Sequence, residues 1–479
     1  MISMTLPEIA EIVGGATVHD HGVTVDGPAF LDSRVAERRG LFVAIVGERV
    51  DGHDYAAAAL SGGAAAVLSS RDTGLPGVVV DDPVAALAAL ARHALAVLRA
   101  TTDIRVVALT GSQGKTSTKD VLAQVLAAAG TTVATFGSFN NELGLPLTVL
   151  RADATTRFLV LEMGARHVGD LTASCEIAPP MVSTVLNVGK AHMGEFGSQE
   201  AIARAKGEIV EALPSADEGG VAVLNADDPL VSAMAARTSA RVTRFGSGRD
   251  ADVRFEDVRL DDLGRATYDL VVGDERRTVS LGLIGEHHAT NTAAVAATAL
   301  ALDVPLDTVV EALATVTATS PARMELLERA DGVTVLNDAF NANPDSMRAA
   351  LKALAAIGRG RPTARTVAVL GEMLELGASS REEHDALGRL VVRLDIHQLV
   401  VVGEGAKPIH LGACLEGSWG GESVFVPDPD AALAWLREHL APGDVVLFKS
   451  SKAAQVRWVA DAVMADGAER SAPSEENRR

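Results

Sequence analysis

Two cysteines in 479 residues, Cys175 and Cys414, are too few for a disulfide framework. A reducing, cytoplasmic setting is therefore expected. Aromatic residues make up only 3% of the chain, so its cores are expected to be thin, helix-rich layers of alanine and valine. Basic charge is also short: 43 Lys and Arg face 63 Asp and Glu, leaving a formal net charge of -20. That balance excludes nucleic acid or an anionic membrane as the main partner, yet leaves room for one basic pocket that takes phosphates. Long uncharged apolar runs are missing too. The longest Ala/Leu stretch, 84–100, carries Arg92, His93 and Arg99 and reads as the helix of a soluble protein, so no membrane partner is expected. The opening MISMTLPEIAEIVGG has neither a basic start nor an apolar core, and no signal peptide is expected.

Apolar residues make up 48% of the chain, whose length suits about three domains. A first unit, 1–102, alternates short apolar runs (LFVAIVG, AAAVLSS, GVVVDD) with Ala-rich helical stretches. In a second, 103–318, strand-like runs such as IRVVALTG, RFLVLEMG and MVSTVLNVG end in small or polar residues and are separated by helical segments. This rhythm predicts a parallel sheet with crossover helices. Between 250 and 285 the pattern shortens, and a small antiparallel sheet at the domain edge is expected. A third unit, 319–465, repeats the α/β rhythm (VTVLNDAF, TVAVLGE, QLVVVGE). The polar tail 466–479 is expected to be disordered. The fold class is thus α/β in three domains: a central parallel-sheet domain, which the glycine–lysine turn at 111–117 marks as a P-loop ATPase domain, flanked by an N-terminal α/β domain and a C-terminal Rossmann-like α/β domain.

The chemistry starts where IRVVALTG runs into SQGKTSTKDVLAQVL. A strand, a glycine turn and a helix make a phosphate cradle, because backbone N–H groups and the positive helix N-terminus face the anion. Gly111, Ser112, Gln113, Gly114, Lys115, Thr116 and Ser117 form this loop. Lys115 reaches the terminal phosphates of ATP and the Thr116 hydroxyl ligates Mg²⁺. The two glycines stand closer together than in the common Walker form. Glu162 ends the strand RFLVLE, where a carboxylate is costly unless it serves an ion, and it is the second candidate Mg²⁺ ligand. Asn140 and Asn141 are turn-prone and carry free donors and acceptors beside the loop. His192 follows another strand end. Ile202, Lys206, Ile209 and Leu213 share one helical stripe, so Lys206 is either a snorkelling side chain or an active-site group.

The short loop TGSQGKTS resembles that of the Mur ligase family, which builds the peptide stem of peptidoglycan; folylpolyglutamate ligases share it. FNNELGLPLTVL and NDAFNANPDSM resemble the branch that joins D-alanyl-D-alanine to UDP-N-acetylmuramoyl-tripeptide, and the similarity runs over nearly all of the chain. The resemblance implies ATP and two Mg²⁺ as cofactors and an acyl phosphate on the way to the amide. It implies that Lys206 is carbamylated by CO₂ and, with His192, joins the metal and catalytic group. It further implies that Asn291 touches adenine, Arg323 the phosphates and Asp338 the ribose, with Asn341 in the supporting turn. Ser33, Arg34 and Arg49 become uridine-nucleotide contacts, and Asn140 and Asn141 substrate contacts. His288 stands where many relatives carry asparagine. Ser450 and Lys452 replace glycine and arginine after the retained Lys449, and neither these nor His384 receives a role. A monomer is expected. The competing readings are a sibling ligase adding the third stem residue, a folylpolyglutamate-type ligase, and a non-catalytic ATP-binding switch.

Overall fold

The computed structural model describes residues 1–190, 193–417 and 420–470, with side chains through 466. His192 lies outside these residues. Two parallel-rich sheets carry most of the chemistry, and a third, smaller one precedes them.

The central sheet has nine strands. From one edge these are Glu275–Ile284, Arg265–Val272, Val253–Leu260, Arg241–Gly246, Val221–Asn225, Val182–Val185, Arg105–Thr110, Phe158–Glu162 and Thr132–Ala134. Arg105–Thr110 lies between strands reached by crossovers in opposite directions, so a crevice opens at its carboxyl end. The helix Lys115–Ala127 leaves from that crevice, with Gly114 at its cap. It packs against His287–Ala301, whose Ala289, Ala293, Ala296 and Ala297 are all fully buried. These small side chains bring helix and sheet close, which is how a core poor in aromatics fills its space.

The expected antiparallel addition is present but is not a separate sheet. Phe245 and Gly246 pair in parallel with Val253 and Arg254, so the hairpins continue the central sheet. The open edge of the parallel sheet is thereby paired instead of exposed. The turn at 261–264 then props the third unit: Gly264 packs on Ile357 and Gly360 on Asp262.

The third unit is a six-stranded sheet in the order Glu325–Glu328, Thr334–Asn337, Val445–Lys449, Thr366–Leu370, Gln398–Val402 and Ser423–Val426; only the first pairing is antiparallel. The N-terminal sheet runs Ala16–Val18, Gly77–Val79, Ala66–Ser69, Leu41–Val43 and Ala29–Phe30. Its helix Pro83–Thr101 is capped by Asp82, which accepts from the Val84 and Ala85 N–H groups, and starts on Pro83. This is the one helix among the described residues long and apolar enough to cross a membrane. It instead buries Leu87, Leu90 and Leu95 in a core shared with the central sheet, while Arg92 and Arg99 donate to the carbonyls of Glu176 and Pro179. A single apolar cluster therefore runs across residue 102.

Candidate active site

The register Glu162↔Leu109 sets Glu162 beside the start of the phosphate loop. Its side chain is fully buried. Asn140 Nδ2 donates to Glu162 Oε1 at 2.6 Å, and Oε2 has no partner among the described residues. A buried carboxylate oxygen without a donor is costly and calls for a cation. Asn141 has a local duty, accepting the Gly144 N–H at 3.0 Å to fix the turn.

The loop itself is held from behind. Asn187 Oδ1 accepts the backbone N–H groups of Ser112 and Gln113 at 2.9 and 3.0 Å. Those two donors are thus engaged, and Gly114 through Ser117 at the helix N-terminus present the remaining ones. Gly114 has φ +78°, and a Cβ there would meet Asn291 Oδ1 at 3.0 Å, so both conformation and space require glycine. Lys115 Nζ folds onto the Gly111 carbonyl at 2.8 Å. Burial pushes its pKa down, which the charge of Glu162 opposes and that of Arg323 reinforces.

Lys206 is 3% exposed and makes no ion pair or hydrogen bond with a described residue. Burial first, then the charge of Lys115, drives its pKa far below the ordinary lysine value. Its helix, Gln199–Glu211, cannot swing the amine away. Glu208 accepts the Gly169 and Thr172 N–H groups at 2.7 and 3.0 Å, and Arg237 donates to the carbonyls of Ala203 and Arg204.

The opposite wall comes from the third unit. Asn337 and Phe448 are register partners, so the next residues, Asp338 and Lys449, meet at the carboxyl ends of adjacent strands. Lys449 Nζ lies 2.5 Å from Asp338 Oδ2, and the Met324 N–H donates to Oδ1 at 3.1 Å. Arg323 sits between two left-handed residues, Ala322 (φ +55°) and Met324 (φ +51°). Such backbone strain marks functional positions. Here it aims the guanidinium over the Phe340 ring at 4.0 Å and to the Thr116 hydroxyl at 3.3 Å, with a buried Nε that has no partner among the described residues. Asn343 caps the helix Pro344–Gly360 by accepting from Ser346 N, and its Nδ2 donates to the Ser112 carbonyl at 3.4 Å. Ser112 to Ser117, Asn140, Asn141, Glu162, Asn187, Asn291, Arg323, Asp338, Phe340, Asn343 and Lys449 line one cleft of about 1500 Å³ together with Arg49, whereas Lys206 and Gly111 do not reach its lining. A phosphate loop facing a second α/β unit across such a cleft suits a nucleotide held between them.

The sequence matches the Mur ligase family catalytic domain over residues 14–95, the Mur ligase middle domain over 109–299 and the Mur ligase glutamate ligase domain over 322–452. The chain belongs to the Mur ligase family. It is 48% identical to the UDP-N-acetylmuramoyl-tripeptide–D-alanyl-D-alanine ligase of Mycobacterium tuberculosis, over 97% of this chain and 98% of that one. A crystal structure of MurF from Acinetobacter baumannii superposes with a TM-score of 0.83 at 30% identity, covering 97% of this chain and 99% of that one. MurF ligase from Thermotoga maritima, solved in complex with ADP, superposes with a TM-score of 0.76 at 31% identity, covering 93% and 98%.

In this Mur ligase, the expected residues Ser112, Gln113, Gly114, Lys115, Thr116, Ser117, Asn140, Asn141, Glu162, Asn291, Arg323, Asp338 and Asn341 all gather at the cleft, with Arg49 at its mouth. Ser33 and Arg34 are not among its lining residues; Arg34 points to solvent and pairs with Asp32. Among the described residues no three His, Cys, Asp or Glu side chains form a ready metal site. The Glu162 oxygen and the Thr116 hydroxyl nevertheless fit a hard cation that takes its other ligands from phosphate and water. His384 is structural: its Nε2 accepts the Met373 N–H at 2.9 Å and its Nδ1 donates to the Ser380 carbonyl. His288 is buried outside the cleft, and its Nδ1 has no partner among the described residues. Sequence reasoning missed Asn187, Lys449 as the partner of Asp338, and His287. His287 lines the cleft and is held neutral, its pKa pushed down to about 4 by burial, with Asp338 opposing and Lys449 assisting. Lys449, Asp338 and Asn187 each stand at the polar end of a strand-like run; that pattern does not say which side chain each one meets.

Proposed function

We infer that this chain joins D-alanyl-D-alanine to UDP-N-acetylmuramoyl-tripeptide, using ATP and releasing ADP and phosphate, in peptidoglycan precursor synthesis. The observation that carries this is the near-full-length similarity to ligases of that name, supported by a cleft lined both by the phosphate loop and by Arg323, Asp338 and Lys449 of the third unit.

A carboxylate resists amines because its charge repels them. Here the tripeptide carboxylate attacks the γ-phosphorus of ATP and ADP departs. The amine of the dipeptide then attacks the acyl carbon; the acyl C–O bond to phosphate breaks, phosphate leaves with that oxygen and its electron pair, and the nitrogen loses a proton to give the amide. Lys115 and Arg323 neutralise charge on the transferring phosphoryl, and the N–H groups of Gly114 to Ser117 orient it. Asp338, held by Lys449, receives the ribose hydroxyls, with Asn341 in its supporting turn. Asn291 faces the base. Ser33, Arg34 and Arg49 hold the uridine nucleotide, and Asn140 and Asn141 border the acceptor. Thr116 and Glu162 would hold Mg²⁺, two ions in all, with His192 and carbamylated Lys206 assisting; the ions supply electrostatic stabilisation of the phosphoryl oxygens. A neutral amine is the form that adds CO₂, and the buried environment of Lys206 favours that form. The division of labour proposed is 1–102 for the UDP-substrate, 103–318 for ATP, and 319–465 for ribose and the amine, in a monomeric cytoplasmic enzyme.

The test is phosphate release by purified protein. It is expected only when ATP, the UDP-tripeptide and D-alanyl-D-alanine are all present. Release with another amine in preference, or without any, would overturn the assignment. Intact mass in bicarbonate buffer, expected to show one added CO₂ lost in Lys206→Arg, tests the carbamate separately.

A further inference from the structure

The phosphate loop is tied to the third unit by residues 187–190 and by Gly194, through contacts that no part of the mechanism above uses. The segment 187–190 leaves the strand Val182–Val185 and opens with Asn187, which carries the Ser112 and Gln113 N–H groups. Gly189 donates its N–H to Ser112 Oγ at 2.9 Å. These residues cross to the third unit at three points. A Cβ on Gly189 would meet Asp345 Oδ2 at 2.5 Å, so the acidic side chain rests directly on the backbone. Lys190 Nζ donates to Glu383 Oε1 at 2.6 Å. Gly194 N–H donates to the Glu375 carbonyl at 2.9 Å.

Glu383 is the centre of this contact. Its side chain is 7% exposed, and its second oxygen accepts from Arg348 Nη2 at 2.6 Å. Arg348 in turn holds Asp345 at 3.1 Å. Asp345 lies two residues after Asn343, whose amide reaches the Ser112 carbonyl. A loop thus closes: Ser112, Asn187, Lys190, Glu383, Arg348, Asp345, Asn343 and back to Ser112. A buried carboxylate between two cations from different units is satisfied only while those units are together. Separating them leaves Glu383 with Arg348 alone; Lys190, already half exposed, loses only its partner.

We propose that Glu383 is a positioning residue for the ligation reaction, latching the third unit to the phosphate loop through Lys190. It touches no substrate. It raises the population of the arrangement in which Asp338 and Lys115 face one nucleotide, so apparent affinity for ligands bridging the cleft falls when it is lost, in proportion to the closed fraction. The inference rests on the ligase reading only for its kinetic arm.

The experiment compares the full-length wild type with Glu383→Gln, Lys190→Met and Lys190→Arg. In Glu383→Gln and Lys190→Met, KM for ATP and for the dipeptide is expected to rise together, roughly tenfold, with KM for the UDP-substrate unmoved and kcat within about twofold. Lys190→Arg keeps the charge and should restore wild-type values. The double variant should be no worse than the poorer single one, since both break the same contact. Small-angle scattering with AMP-PNP and Mg²⁺ supplies a readout that needs no ligation: both weakened variants should have a larger radius of gyration at unchanged Tm. Unmoved KM values and radius would overturn the latch, as would a uniform loss across all three substrates with a lowered Tm. If the named substrates failed to react at all, the scattering comparison would still decide the latch by itself.

Discussion

Lys206 concentrates the conflict between stability and function in one side chain. Its folded pKa lies well below that of an exposed lysine, so the folded state binds fewer protons than the unfolded chain. At every pH below the unfolded value of about 10.4 the folded state therefore carries a penalty, which shrinks as pH rises toward that value. Lys206→Met is expected to abolish ligation yet raise the melting temperature in CO₂-free buffer at neutral pH, with the gain fading in more alkaline buffer; thermal melts across that range check it. Glu162 offers the converse case. Glu162→Gln keeps the hydrogen-bonding reach to Asn140 but removes the charge on the unpartnered oxygen. It should fold normally and lose at least about a hundredfold in kcat, the size of one missing electrostatic contact in a phosphoryl-transfer site. Asp338 and Lys449 behave as a unit. Lys449→Met should destabilise by about 3–5 kcal/mol because it leaves a buried carboxylate unpaired. Adding Asp338→Asn should recover much of that loss in a denaturant titration, while KM for ATP stays high in the double variant.

At the scale of elements, carboxyl ends of parallel strands do most of the placing. Glu162 ends one strand, Asp338 follows another and Lys449 ends a third, and register alone decides who meets whom. Helix starts supply the rest. Asn343 joins the helix Pro344–Gly360 to the phosphate loop, since its Oδ1 caps the helix and its Nδ2 reaches Ser112. Asn343→Ala should cost about 1 kcal/mol by chemical denaturation through the lost cap. Its KM for ATP should rise as well, because the same side chain touches the loop. Much of this was legible in the sequence: the strand–glycine–helix rhythm, the buried stripe of Ile202, Lys206, Ile209 and Leu213, and the NANPD turn. The antiparallel run 250–285 was legible as strands but not as an extension of the main sheet. Which edge a hairpin pairs with is a non-local choice that local alternation does not encode.

For the whole molecule, the candidate site is a property of two units whose strand ends meet across one cleft. Gly189 is a position where that approach is tight enough to test sterically. Gly189→Ala would place a Cβ 2.5 Å from Asp345 Oδ2. It should leave the separate units folded, with little change in Tm, while raising KM for ATP; an unchanged KM would mean that the third unit need not come this close during turnover. The two ends of the interface are unequal. The turn at 261–264 props the far end of the helix Pro344–Gly360 by apolar and backbone contact, whereas the cleft end is joined by charged and hydrogen-bonded side chains that water can replace. Motion, where it occurs, belongs to the cleft end.

The sequence by itself determined the phosphate loop and the α/β rhythm and marked Lys115, Glu162, Lys206 and Asp338 as candidates, because each is written in a few consecutive residues whose chemistry is local. Only the tertiary structure decided that Asn187 occupies two loop donors, that Lys449 answers Asp338 across 111 residues, and that Arg323 bridges to Thr116 across 207. It also left Ser33 and Arg34 away from the cleft. Those outcomes depend on strand order and on how two units dock, which are set by the packing of the whole chain and leave no mark in any short stretch of it.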